Sequence, residues 1–148
     1  MDMNSHVREA VLEDAPELAE LTTQLGYPCD AQQIRQRLQS MPIHDSAILV
    51  ARDVEGLTGW IHVAMQHSLA ADHVAEILGL VVHERCRSLG LGAILLEHAE
   101  RWASEHGCRQ LWVRSNVLRA RAHRFYERHG FRRIKTSYTL GKAIGQDI

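Results

Sequence analysis

The hydrophobic positions of the chain centre on one apolar stretch that is followed by one amphipathic stretch. Residues 75–82 are apolar apart from Glu76, which is typical of a central strand buried on both faces. From Ile94 onward the apolar residues recur at helical spacing. They are Leu95, Leu96, Ala99, Trp102 and Ala103. Gly90 and Gly92 precede them, so the pattern predicts a strand, a short loop and a long helix.

Two shorter helices are predicted nearer the start of the chain. The first has Asp14 as its N-cap and Glu17 as the acid of a capping box, and it ends at Gly26. Its buried stripe is Leu18, Leu21, Thr22 and Leu25. The second begins after the N-cap Asp30 and stops at Pro42. One face of it carries Ile34, Leu38 and Met41.

Alternating or continuous apolar runs predict the remaining elements. Strands are predicted at 6–10, 46–52, 57–65, 73–82 and 109–115, with a last strand or strand pair at 131–140 and a helix at 119–129. Turn residues 53–56 join the second and third strands into a hairpin, and residues 66–72 form the next connection. The order β-α-α-β-β-β-α-β-α-β predicts an α/β fold with one central mixed sheet, as a single domain of residues 1–148.

Composition excludes several classes of protein. The 148 residues are 45% hydrophobic and 24% charged, as expected for one soluble globular domain. A net charge of −1 argues against a nucleic-acid or membrane partner. The polar N-terminus has no signal-peptide segment, and the three cysteines are widely spaced. We therefore expect a cytoplasmic protein with reduced thiols.

The predicted loop before the long helix has the chemistry of a phosphate site. Backbone N–H groups at a helix start lack intrahelical partners and lie at the positive end of the helix dipole. Arg85 and Arg87 add charge-assisted donors. The Rossmann fingerprint fails because Leu95 stands where Gly or Ala is required, and the P-loop fails because Gly-Lys-Ser/Thr is absent.

Two blocks of the sequence resemble the GNAT superfamily of N-acetyltransferases. Residues 81–93 resemble its acyl-CoA loop, Gln/Arg-x-x-Gly-x-Gly/Ala, here Arg87, Gly90 and Gly92. Residues 122–131 resemble its Ala-x-x-x-Tyr-x-x-x-Gly-Phe segment. The resemblance implies a GNAT-like acyl-CoA N-acyltransferase fold that uses acetyl-CoA as co-substrate and a primary amine as acceptor.

The resemblance also implies which residues hold the cofactor. The backbone of Leu80, Val81 and Val82 would pair with the pantetheine arm, and Gly79 would mark a bulge that exposes such groups. A backbone N–H near Leu80 or Val81 would polarise the thioester. The pyrophosphate would contact Arg87, Ser88, Leu89, Gly90, Leu91, Gly92 and Ala93.

One position departs from the family pattern. The family often has Asn seven residues before the tyrosine, where this chain has Arg119. Residues 115–126 are similar to small-amine acetyltransferases such as aminoalkylphosphonate acetyltransferase. We therefore expect Asn116 to contact the cofactor and Arg119 to contact a phosphate or the acceptor. The basic residues of 119–133 are expected to form a solvated face that partly serves the CoA 3′-phosphate.

Tyr126 and Glu76 are the predicted catalytic residues. Tyr126 matches the family's tyrosine, which resembles a general acid for the departing thiolate. Glu76 is the candidate general base, through water, because a carboxylate in an apolar strand should face a cleft. The alternatives are a core tyrosine and a carboxylate paired with an arginine. His83 is a further candidate base, expected to point to solvent.

These residues predict direct acetyl transfer to a small primary amine. No cysteine stands in a nucleophile context, so no covalent enzyme intermediate is expected. The alternatives are a protein N-terminal or lysine acetyltransferase and a non-catalytic CoA-binding regulatory module. No metal site is predicted, although His62, His67 and His73 could converge from neighbouring strands. The resemblance also implies a homodimer.

Overall fold

The computed structural model describes residues 7–71 and 73–145, in two compact units of residues 1–114 and 115–148. Two predicted element ends, His6 of the first strand and Asp72 of the connection before the central strand, lie outside the described residues. The first unit contains the whole sheet, and the second contains one helix.

The first unit is a five-stranded sheet with three helices. Its elements are β1 (Val7–Glu9), α1 (Ala15–Leu25), α2 (Ala31–Ser40), β2 (Ser46–Asp53), β3 (Gly56–Met65), β4 (Val74–Val82), α3 (Leu91–Glu105) and β5 (Gln110–Val113). The strands lie in the order β1-β2-β3-β4-β5. The first four are antiparallel, and β5 runs parallel to β4. This order confirms the predicted mixed sheet.

The two faces of the sheet are covered by different helices. On one face, Leu18 and Ile34 from α1 and α2 are buried in one cluster with Val50 of β2. On the other face α3 packs across β2, β3 and β4, with Leu95 fully buried. Gly59 allows this close packing, because a Cβ there would lie 3.1 Å from the Leu95 Cδ1 atom.

The start of α1 differs from the predicted capping box. The Asp14 side chain caps no helix N–H group. Its carboxylate accepts hydrogen bonds from Arg8 at 2.8 and 2.9 Å and from the backbone N–H of Val11 at 2.8 Å. Glu17 accepts a hydrogen bond from the Leu57 N–H at 2.6 Å. Asp14 occupies the N-cap position, but the predicted side-chain capping is wrong because both carboxylates bind donors outside α1, in β1, in the turn before the helix and in β3.

The Arg8–Asp14 pair predicts a pH-dependent stability. Hydrogen bonds from Arg8 hold the pKa of the buried Asp14 below its usual value. A lowered folded-state pKa stabilises the fold above the unfolded value of about 3.9, and this stabilisation is lost as the pH falls through the folded pKa. We expect Asp14→Asn to lower the free energy of unfolding by about 1–2 kcal/mol at pH 7. Urea unfolding at pH 7 and in acid measures this difference.

Asp30 provides the matched control for that substitution. Its carboxylate accepts from the Gln33 N–H at 2.8 Å as the N-cap of α2, as predicted. Because Asn caps a helix nearly as well as Asp, Asp30→Asn should change the free energy of unfolding by only about a few tenths of a kcal/mol. Equal losses for the two variants, or an Asp14→Asn loss that persists below the folded pKa, would contradict an ion-pair origin.

The second unit contains α4 (Ala120–Arg128), which confirms the predicted helix. The predicted strand or strand pair at 131–140 is wrong, because residues 131–145 form no strand in the described part of the chain. The Phe131 N–H closes the end of α4 on the Tyr126 carbonyl at 3.1 Å. Beyond it Ile134, Tyr138 and Leu140 are exposed, so they supply no apolar face to a sheet. The observed order of elements therefore ends with β5 and α4, without the predicted last strand.

Candidate active site

The strand β4 has unpaired backbone along half of its length. It pairs with β5 only from Val74 to Ile77, whereas it pairs with β3 as far as Val82. The next residue is His83, whose N–H donates to the Thr58 carbonyl at 2.7 Å. Because successive residues of a strand alternate in hydrogen-bonding direction, the N–H groups of Val82 and Leu80 point away from β3. An extended ligand can pair with these groups in the manner of an added strand.

A bulge marks the point where β4 leaves β5. Ile77 pairs with Val63 and Gly79 pairs with His62, so Leu78 is the extra residue. A Cβ on Gly79 would lie 2.6 Å from the Cη2 atom of Trp60. Glycine therefore lets the indole lie directly over the β4 backbone, and the bulge predicted at Gly79 is confirmed.

The predicted phosphate loop connects β4 to the start of α3. The backbone φ angles are +69° at Ser88 and +83° at Gly90, so the chain turns through the left-handed region twice before the helix. No side chain caps α3. The first-turn N–H groups, from Leu91 to Ala93, therefore lie at a helix start with no side-chain acceptor, as an anion site requires.

Arg85 does not serve as a free donor of this loop. Its guanidinium lies 3.0 Å from a carboxylate oxygen of Asp53 and 3.0 Å from one of Glu55, so it ties the loop to the β2–β3 turn. This pairing holds the pKa of Asp53 below its usual value. Arg87, in contrast, is exposed and pairs with no carboxylate in the described residues. Of the two predicted phosphate donors, only Arg87 is available.

His83 lies against α1, so the expectation that it points to solvent is wrong. Its side chain is only 15% exposed, and its Nε2 atom lies 3.2 Å from a Glu20 carboxylate oxygen. Its Nδ1 atom accepts a hydrogen bond from the Arg85 N–H. Gln24 also holds the loop, because its side-chain oxygen accepts from the Glu84 N–H at 3.0 Å. Two side chains of α1 thus anchor the first residues of the loop.

Glu76 lies on β4 before the bulge with both carboxylate oxygens engaged. The Oε1 atom accepts from the Gln66 side chain at 3.0 Å, and the Oε2 atom lies 3.1 Å from Arg114 Nε. The side chain is 13% exposed. The pairing of Glu76 with an arginine agrees with the alternative that the sequence left open. The hydrogen bond from Gln66 was not predicted. Its role as general base stays a prediction.

A cavity of about 160 Å³ lies between the first two helices and the sheet. Its walls are mostly apolar, and the residues come from α1, α2, β2 and β3. They are Leu18, Thr22, Ile34, Arg37, Leu38, Met41, Ile48, Trp60 and His62. Burial lowers the pKa of His62, so its imidazole is neutral at pH 7. The sequence predicts the apolar stripe of α2 but not the cavity position of Arg37, which follows Ile34 by three residues and therefore shares its face.

In the second unit, Tyr126 lies half-buried among aromatic rings. The ring centroids of Phe125 and Phe131 are 5.2 and 5.3 Å from its own. Burial raises the pKa of Tyr126 to about 12, while the positive charge of Arg119 lowers it. The phenol is protonated at neutral pH, as a general acid must be, and its raised pKa makes it a weaker acid than an exposed tyrosine.

Asn116 organises the turn before α4. Its side-chain oxygen accepts from the Leu118 N–H at 2.9 Å, and its backbone carbonyl accepts from the Arg119 N–H at 2.9 Å. The Nε2 atom of His123 also lies 2.8 Å from that carbonyl. The side-chain amide nitrogen is the part of Asn116 that remains for the predicted cofactor contact.

The comparison with known families agrees with these features. Residues 12–131, most of the chain, match the model of the acetyltransferase (GNAT) family. The chain belongs to the GNAT family of acetyltransferases. The predicted family and the predicted activity, that of an acetyl-CoA-dependent N-acetyltransferase, are thereby confirmed.

Individual relatives of this GNAT protein include two curated N-acetyltransferases. It is 32% identical over 129 residues to the uncharacterised N-acetyltransferase YhdJ of Bacillus subtilis, covering 84% of this chain and 86% of that protein. It is 34% identical over 84 residues to the aminoalkylphosphonate N-acetyltransferase of Salmonella typhimurium, covering 56% and 54%. The fold is similar to that of a GNAT family acetyltransferase from Staphylococcus aureus, with a TM-score of 0.77, 20% identity and coverage of 92% and 97%.

Two further properties concern the described residues of this GNAT protein. None of their helices has the length and apolarity that are needed to cross a bilayer. Over residues 7–71 and 73–145, no three His, Cys, Asp or Glu side chains are grouped so that they could hold a metal ion. Convergence of His62, His67 and His73 into a ligand set, which the sequence left open, is therefore not observed among these residues.

Proposed function

We propose that this GNAT protein transfers the acetyl group of acetyl-CoA directly to the primary amine of a small molecule. One observation carries the proposal. Trp60 and His62 form a wall of the cavity, His62 pairs with Gly79 at the β4 bulge, and the Trp60 indole lies against that glycine, where the free backbone begins. An amine in the cavity and a thioester on the β4 edge would therefore be neighbours, as direct transfer requires.

The free edge of β4 supports the assignment of the cofactor site. Leu80 and Val82 offer their backbone groups to the pantetheine arm, and the N–H of Leu80 polarises the thioester carbonyl. Val81 faces β3 by the same alternation, which favours Leu80 as this donor. The pyrophosphate binds the residues from Arg87 to Ala93. Asn116 and Arg119 supply the further cofactor and phosphate contacts that the family resemblance implies.

Two residues would move protons in this reaction. Glu76 accepts the amine proton through water, and Arg114 and Gln66 orient its carboxylate. Tyr126 protonates the departing thiolate, which its fully protonated phenol supports. Cys86 is buried beside the loop, which favours direct transfer over a covalent enzyme intermediate.

The size of the cavity favours a small acceptor. Its volume of about 160 Å³ is similar to that of a protein cavity that binds one benzene molecule, about 150 Å³. A short amine fills such a space. A protein N-terminus or lysine is the alternative acceptor, and a CoA-binding module without turnover is the alternative to an enzyme.

Several predictions about the whole protein remain proposals. The family match crosses both units, which supports a single catalytic domain of residues 1–148. Homodimer formation, the cytoplasmic location and the absence of a nucleic-acid partner stay predictions from the sequence and the family resemblance.

Release of free CoA tests the proposed function. Acetyl-CoA is supplied with a panel of small primary amines and short peptides, and the thiol is measured with a chromogenic reagent. We expect turnover with small amines and none with peptides. Turnover with peptides alone would support the protein-acceptor alternative. Tight binding of acetyl-CoA by calorimetry with no turnover for any amine would support the binding module.

A further inference from the structure

We infer that the acceptor of this enzyme carries an acidic group, a carboxylate or phosphonate, that binds Arg37 and the indole N–H of Trp60. This inference rests on the proposed function, because it names the class of amine that enters the cavity. The acceptor would then have three parts: an amine, a short apolar body and an oxyanion.

The cavity wall contains one permanent positive charge and no negative charge. Arg37 lies in the last turn of α2, one helical turn after Ile34 and next to Leu38, so it shares their cavity-lining face. No carboxylate of the described residues lies within ion-pair distance of its guanidinium. Neither Asp nor Glu lines the cavity. Such a wall favours an anionic ligand and disfavours a polycationic one, which would need carboxylates.

Trp60 adds a buried N–H donor that has no hydrogen-bond acceptor among the described residues. Its Nε1 atom is shielded from solvent and has no hydrogen-bond partner. Buried N–H groups of this kind are rare in folded proteins because an unsatisfied donor costs free energy. Trp60 also forms part of the cavity wall, so an oxygen of the ligand can satisfy this donor once the indole turns its shielded Nε1 atom toward the cavity.

The remaining walls suit a short apolar body. Leu18, Ile34, Leu38, Met41 and Ile48 surround the space. His62 is the other titratable side chain of the wall, and its imidazole is neutral at pH 7 because burial lowers its pKa. Arg37 is therefore the one cationic group of the lining at that pH, and it can fix the orientation of an acidic amine.

The first experiment compares matched acceptors on the wild-type enzyme. An amino acid is paired with its amide, and an aminoalkylphosphonate with its neutral diester, so each pair differs mainly in the charge. CoA release gives kcat/KM for each. We expect the acidic member to be preferred by about 10- to 100-fold, since hydrogen bonds to charged groups are worth this much. Equal use of both members, or preference for the neutral one, would overturn the inference while leaving the proposed function intact.

The second experiment assigns the preference to Arg37. Arg37→Gln should reduce the ratio of acidic to neutral kcat/KM to nearly one, mainly through the KM of the acidic amine. Arg35→Gln is the matched control, because Arg35 is an exposed arginine of the same helix that does not line the cavity. It should keep the wild-type ratio. A loss of kcat/KM by the same factor for both acceptors in Arg37→Gln would overturn the assignment.

Trp60→Phe tests the second donor. It removes the N–H group and keeps an aromatic ring, so we expect a several-fold higher KM for the acidic amine, with thermal unfolding measured to confirm the fold. An unchanged KM in a folded variant would remove Trp60 from the proposed site. If the wild type releases no CoA with any amine although acetyl-CoA binds, the proposed function fails, and this inference fails with it.

Discussion

Replacing Tyr126 with phenylalanine is expected to lower kcat by about 100- to 1,000-fold. The substitution removes only the hydroxyl group, so the ring contacts with Phe125 and Phe131 are kept. Without the phenol, the CoA thiolate must leave unprotonated or take a proton from water. The KM for acetyl-CoA should change little, because the hydroxyl acts on the leaving sulfur in the transition state.

The measurement is steady-state CoA release, with acetyl-CoA binding followed by calorimetry. Tyr138→Phe is the control, since Tyr138 is 94% exposed in the same unit and has no assigned role. Because burial raises the pKa of Tyr126 to about 12, loss of its proton should not lower the wild-type kcat at pH values up to about 10. A kcat for Tyr126→Phe within a few-fold of wild type would show that another group protonates the thiolate.

Replacing Glu76 with glutamine is the second change with a large expected effect, a decrease in kcat of about 100-fold. Glutamine has nearly the same shape but accepts no proton. Its amide would also face Arg114 without a negative charge, so some loss of stability is expected as well. Activity and thermal unfolding must therefore be measured together.

Arg114→Gln separates the two roles of Glu76. This variant breaks the same ion pair from the other side but keeps the carboxylate and its hydrogen bond from Gln66. If Glu76 is the base, the Arg114 variant should retain much more activity than the Glu76 variant at similar stability. If Glu76 only holds β4 to the end of β5, the two variants should lose activity equally, and the base must be sought elsewhere.

The elements of the first unit were predictable because each has a local cause. Gly26 adopts a φ of +115° at the end of α1, and Asp30 caps α2 through its own side chain. The central strand could be recognised from the apolar run that ends at Val82. The helix after it could be recognised from the helical spacing of its apolar residues. Gly90, the residue before α3, could be recognised from the loop pattern because glycine adopts the left-handed backbone conformation more readily than other residues.

The errors have a common physical origin in long-range contacts. Arg85 pairs with Asp53, which is 32 positions earlier, and His83 with Glu20, which is 63 positions earlier. Periodicity reports which face of an element is apolar but not which distant charge will meet it. The alternation after Phe131 is similar to that of a strand, although a strand also needs a partner, which no local pattern specifies.

Arg37 and Trp60 were missed as cavity residues for the same reason. From the sequence, Arg37 is predicted to be one exposed residue of an amphipathic helix, and Trp60 is predicted to be one apolar residue of a strand. Only the tertiary fold, in which α2 packs on α1 and α1 packs on β3, makes them neighbours of one space. By contrast, the loop between β4 and α3 is continuous in sequence, so its glycine turn could be placed in advance, and its role as a phosphate site stays a prediction.

The helix α1 has a consequence for how the two substrates influence each other. Leu18 and Thr22 of this helix line the cavity, while Glu20 and Gln24, each two positions further along, hold the start of the predicted phosphate loop. One rigid element therefore touches both sites. Any acceptor that displaces α1 changes the affinity for the cofactor, and thermodynamic linkage requires the cofactor to change the affinity for that acceptor by the same factor. If the cavity is the proposed amine site and the loop the proposed cofactor site, substitutions on the cavity side of α1 will accordingly alter two dissociation constants rather than one.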